Sequence, residues 1–143
     1  MDNHSQEKQY DFNPFNLPAG VLQAIGLVTA SAAQTESVVE MAIAGCLGVD
    51  MELGGAVATH MNAQLRDHVL RSVAEIRIDD LDALDELDDV LDAIKSAQSK
   101  RNAVVHQTWC TDPETGDVFR VAQTSRGSFD IDVVPLSSRD IEE

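Results

Sequence analysis

The chain has 143 residues, a length that suits one domain of roughly 100–200 residues. Ten Lys plus Arg against twenty-five Asp plus Glu give a formal charge of −15, which excludes a protein held to nucleic acid or anionic lipid by generic attraction. Cys46 and Cys110 form no CxxC pair, the first residues lack signal-peptide order, and no apolar run reaches the ~20 residues of a membrane span, so a cytoplasmic protein without disulfides or a membrane segment is expected.

Residues 1–17 are polar, carry no sustained period and end in Asn-Pro and Leu-Pro steps, which disfavour helix before each proline. They are read as a flexible leader. Within it, Asn13-Pro14-Phe15 matches a short motif bound by endocytic adaptor domains and is read here as a turn. Pro18 suits a first helical turn, and Leu22, Ile25, Thr29, Ala32, Glu36, Val39, Ile43 and Leu47 then recur at three- and four-residue steps. The spacing predicts a first helix over 18–47, closed by Gly48 in a left-handed cap. Asp50 caps a second helix over 51–76, whose stripe is Leu53, Val57, Met61, Leu65, Val69 and Val73.

From Asp79 to Asp92 eight of fourteen residues are acidic, yet Leu81, Leu84, Leu87, Leu91 and Ile94 keep a helical period. The acids are read as a solvated face whose first members complement the helix dipole, over a metal site or a nucleic-acid mimic built on Asp85, Asp88, Asp89 and Asp92. The stripe runs on through Gln98, Arg101, Val105 and Thr108, so the third helix has roughly thirty residues and a length of about 45 Å. Asp112 to Gly116 is a turn cluster, followed by strands at Val118–Gln123 and Ser128–Val134 around Ser125-Arg126-Gly127. A lone hairpin is marginal in water, so its Phe129, Ile131 and Val133 face is expected to lie on the helices, and Ser137 or Ser138 to cap a last short helix. The fold class is mainly α: an elongated up-down bundle of three long helices over 18–110, with a C-terminal β-hairpin and tail over 111–143 packed on it.

Signatures of zinc proteolysis, Walker-type nucleotide hydrolysis, serine hydrolysis, dinucleotide binding and calcium loops are all missing from the sequence, and no cofactor or metal is expected. His60 and His68 lie two turns apart and read as helix-face residues. Chemistry concentrates in Lys100-Arg101-Asn102-Ala103-Val104-Val105-His106. Arg101 falls on the apolar stripe, where a permanent charge needs an anion. In an up-down-up bundle Glu36 lies about one turn from its level, so the anion is either that carboxylate, in an ion pair that fixes register, or a phosphate. Asn102 and His106 are separated by about 40° around a helix, and Arg101 lies about 140° from His106. Guanidinium, amide and imidazole on one strip are the parts of phosphate chemistry, and a two-fold would bring two sets to one cleft.

This late helical RNAVVH, with Arg101, Asn102 and His106 in order, resembles the HEPN domain, a family of small helical bundles named for higher eukaryote and prokaryote nucleotide binding. The likeness covers residues 18–110, and the hairpin is similar to decorations on bacterial stand-alone members. The resemblance implies a homodimer with facing motifs and a metal-independent endoribonuclease that leaves 2′,3′-cyclic phosphate and 5′-hydroxyl ends. It casts Arg101 and His106 as catalytic and Asn102 as supporting. Lys95 and Lys100 form a small basic spot that could hold RNA beside the motif, and Glu36 supports Arg101. A toxin or antiphage role is implied, with a cognate antitoxin or a nucleotidyltransferase as partner. Other members do not cleave, so a non-catalytic helical dimer binding a protein or nucleotide is the alternative, with an acidic antitoxin-like protein as a third reading.

Overall fold

The computed structural model describes residues 9–125 and 129–135. A 3-10 turn, Pro14–Asn16, leads into α1 (Ala19–Leu47), α2 (Met51–Ala58), α3 (Ala63–Arg77) and α4 (Leu81–His106), and then β1 (Thr108–Thr111), β2 (Val118–Ser125) and β3 (Phe129–Pro135). Among the described residues the protein is mainly helical, with four helices where three are expected and a three-stranded antiparallel sheet, ordered β1-β2-β3, where a hairpin is expected. The described residues fall into two packing units, one of residues up to Thr29 and from Arg101 onward, the other Ala30–Lys100.

Local chemistry accounts for the helix ends. Gly48, at φ 71°, closes α1: its N–H bonds the Gly45 carbonyl at 3.1 Å and the Val49 N–H reaches the Ala44 carbonyl at 3.2 Å, a Schellman pair. Asp50 caps α2 by accepting from the Leu53 N–H at 2.8 Å, and Asp80 caps α4 by accepting from the Asp82 N–H at 3.0 Å. The helix expected over 51–76 is broken at 59–62. Asn62 accepts from the Leu65 N–H at 2.9 Å and starts α3 afresh, a cap that competes with a continuous helix.

The same segment shows which face packs. Leu53, Val57 and Leu65, expected inside, are exposed, whereas Gly54 and Ala58, one residue after Leu53 and Val57, and Leu70 and Ala74, one residue after the expected Val69 and Val73, are buried. A Cβ built on Gly54 would stand 2.3 Å from the Ala44 Cβ, so α2 meets α1 at a distance only glycine permits. The core of this unit is Val39, Ile43, Ala58, Leu70 and Leu91, with Leu87 and Ile94 against it. Arg66, whose side chain is 11% exposed, pairs with Glu40 at 2.8 Å and Glu36 at 3.4 Å on α1 and donates from Nε to the Ala58 carbonyl at 3.2 Å. Arg71 joins α3 to α4 by pairing with Asp67, Asp88 and, at 2.8 Å, Asp92. Two acids of the 79–92 run are therefore paired as well as solvated.

In the other unit α4 stops at His106, and Thr108, expected in the helix, opens β1. Leu17, Val21, Ala24 and Val118 form its core, with Ile25, Val28, Val104 and Trp109 against them. Residues directly opposite in a ladder share a face. Trp109 opposes Arg120 and Thr111 opposes Val118, so that face covers α1. Val133 opposes Val121 and Ile131 opposes Gln123 on the other face, and both are exposed. Ile131 and Val133 are thus exposed on a face whose Cys110 and Val121 are buried. The Asp112–Asp117 turn holds Gly116 at φ 76°, with the Gly116 N–H bonded to the Asp112 carbonyl at 2.8 Å. Within the expected leader, Leu17 is buried and Asp11 bridges Thr111 through two backbone bonds of 2.8 and 2.9 Å. Residues 1–8, 126–128 and 136–143, the last with the helix expected after Ser137 or Ser138, lie outside the described residues.

Two neighbouring glycines test the close approach. Gly54→Ala is expected to lower stability by about 1–3 kcal/mol through overpacking. Gly55→Ala, whose Cβ meets nothing within 4 Å, is expected to be neutral or to stabilise by about 0.5–1 kcal/mol. Urea midpoints of the two variants measure both.

Candidate functional site at the end of α4

The last two turns of α4 carry the chemistry-bearing residues. Apolar positions anchor this stretch: Val104 packs on the Leu17, Val21 and Ala24 cluster, and Val105 is half-buried. Asn102 and His106, four residues apart and so on one side of the helix, are both exposed, while Arg101 is half-buried. His106 is the basic residue of the final turn.

The final turn leaves carbonyls without helical partners. Trp109 meets one of them, donating from Nε1 to the Val104 carbonyl at 2.8 Å. Its ring packs against the same cluster as Val104, so one side chain ties the helix terminus to β1 and sets the direction of the turn bearing His106. Sequence reasoning missed this role. The signal was present: the chain's single tryptophan directly follows a helix end, where an apolar ring with one polar handle is well suited.

The remaining candidates distribute as follows. Arg101, Asn102 and His106 belong to the unit that contains the sheet, whereas Glu36, Lys95 and Lys100 belong to the Ala30–Lys100 unit. Lys95 and Lys100 are exposed on α4. Glu36 lies beside Glu40, one turn on, and both meet Arg66. That cation was also missed, although Arg66 stands four residues before Leu70 and eight before Ala74, on the buried stripe of α3. Among the described residues no group of three or more His, Cys, Asp or Glu is placed to hold a metal ion.

Among the described residues three groups are perturbed, and of these Asp11 is held below the ordinary carboxyl range by its hydrogen bonds from Asn16 and the Asn13 backbone. Hydrogen bonding to Asp67, with further support from Asp88 and Asp92, holds the Arg71 guanidinium protonated beyond its ordinary range. Burial pushes the Cys110 thiol up, so Cys110 behaves as a small apolar core residue. No single helix among the described residues is long and apolar enough to cross a membrane.

Replacing Trp109 by Phe keeps most of the apolar ring and deletes the donor. The expected loss is about 0.5–1.5 kcal/mol, the net worth of one hydrogen bond, with faster amide exchange confined to the last turn of α4. Hydrogen exchange followed by mass spectrometry measures it.

No protein-family model, no curated protein and no solved structure matches this chain.

Proposed function

We propose that the protein is a HEPN-type, metal-independent endoribonuclease that works in the cytoplasm as a homodimer, with the Arg101 to His106 segments of two copies facing one RNA strand. The observation that carries this reading is the joint exposure of Asn102 and His106 on one side of the last turns of α4, in a terminus held by Trp109. A proton-transfer group must reach solvent-borne substrate, and His106 is exposed to solvent.

In the proposed reaction His106 takes the proton of the ribose 2′-hydroxyl, whose oxygen attacks the adjacent phosphorus, and the 5′-oxygen of the next nucleotide leaves. Arg101 carries the charge that builds on the phosphorane oxygens, and Asn102 orients the phosphate. The second copy supplies the other His106 to protonate the leaving oxygen. Lys95 and Lys100, exposed on α4, offset the −15 charge of the chain where the RNA backbone approaches. A toxin or antiphage role, restrained by a cognate antitoxin or a nucleotidyltransferase partner, goes with this reading.

A non-catalytic helical dimer that binds a partner protein has one observation in its favour. α2 buries Gly54 and Ala58 but exposes Met51, Leu53 and Val57, the reverse of an ordinary amphipathic helix.

Labelled RNA incubated with the purified protein in EDTA is expected to yield 2′,3′-cyclic phosphate ends. His106→Ala is expected to lower the rate by about 10²–10⁴-fold, and Arg101→Ala by about 10²–10³-fold. Cleavage that persists unchanged in both variants, or no cleavage of any RNA by the parent dimer, rejects the enzyme reading.

A further inference from the structure

The Asn13-Pro14-Phe15 segment, unused by the proposed reaction, is built as a rigid display. The Asn16 N–H bonds the Asn13 carbonyl at 3.0 Å and the Leu17 N–H bonds that of Pro14 at 3.3 Å, with proline at the turn position that suits its fixed φ. Asn13 Oδ1 accepts from the Phe15 N–H at 3.1 Å. The Asp11 carboxylate clamps the turn from below, accepting from the Asn13 N–H at 2.8 Å and from Asn16 Nδ2 at 2.7 Å. Both ends are fixed, by the Asp11 to Thr111 bridge and by Leu17 in the core.

On this clamped turn the apolar side chain points outward. Phe15 is 92% exposed and its neighbour Phe12 is 53% exposed. Single exposed apolar residues are common; a phenyl ring held out on a turn with five hydrogen bonds around it is a different arrangement, since the ordering that binding normally requires is already in place. The segment from Gln9 to Pro18 has one charged residue, Asp11, and its carboxylate is engaged inside the turn. The knob is thus a neutral spot on a strongly acidic chain. Asn13 uses Oδ1 internally, which leaves its Nδ2 to donate outward.

We infer that this turn is a docking point for a partner protein domain with a phenyl-sized apolar pocket and a hydrogen-bond acceptor at its rim, Phe15 filling the pocket and Asn13 Nδ2 meeting the acceptor. Phe12 contributes at the edge. The inference is independent of the ribonuclease reading.

The probe is a purified adaptor domain of the kind that binds Asn-Pro-Phe turns, titrated calorimetrically with the full chain. A one-to-one complex is expected, weakened by at least about 30-fold in Phe15→Ala, the loss typical of a hot-spot residue, and by less in Phe12→Ala. A linear peptide of residues 10–17 is expected to bind about 10-fold more weakly than the full chain, because it must be ordered on binding. No complex with the parent chain, or equal binding by Phe15→Ala, overturns the inference. So does self-association or vesicle binding that Phe15→Ala abolishes while the adaptor domain goes unbound, since the knob then serves a second copy or a lipid surface.

Discussion

A guanidinium withdrawn from water fixes the packing of the Ala30–Lys100 unit. Arg66 touches three elements at once: Glu36 and Glu40 on α1, the Ala58 carbonyl that ends α2, and its own helix α3. A charge in that position is tolerated only when its donors are met, so the two glutamates must lie one turn apart and α2 must end where it does. The break after α2, set locally by the Asn62 cap, presents that carbonyl to Arg66, and the Gly54 to Ala44 contact brings α2 close to α1. Arg71 then adds α4 through Asp88 and Asp92, which gives part of the acidic run a structural use.

Most of the helical framework was legible in the residues. The Gly48 cap, the Asp50 cap and the 3.6-residue period of α1 and α4 are local signals, and local signals survive folding. The face of α2 and α3 was not legible, because a stripe chosen by large side chains finds Leu53, Val57 and Leu65, whereas contact between close helices selects small ones. β1 escaped for a related reason. Its first residue, Thr108, continues an apparent helical stripe, and only pairing with β2 distinguishes Thr108–Thr111 from another turn of α4. That missed strand brings Trp109 to the sheet face that packs with Val118 against α1.

For the site, residue identity was readable and support was not. Arg101, Asn102 and His106 stand out as polar residues late on an apolar helix. What holds them, the Trp109 indole on the Val104 carbonyl, is marked in the sequence only by a lone tryptophan past the helix, while its partner depends on a chain reversal that no spacing rule announces. Glu36 was conspicuous as an acid on an apolar stripe, but Arg66 was hidden by its ordinary appearance in an Arg-rich amphipathic helix. Buried charges are found from a sequence most readily when both members break a pattern, and here only one did.

The backbone bridge between Asp11 and Thr111 also guards the outer side of β1. Open strand margins recruit foreign strands, and on this side the chain's own N-terminal stretch occupies the donor and acceptor of Thr111. Trimming the chain beyond Asp11 would bare that margin while leaving every helix intact, so a shortened form should be prone to sheet-mediated clumping even though its helical content is unchanged.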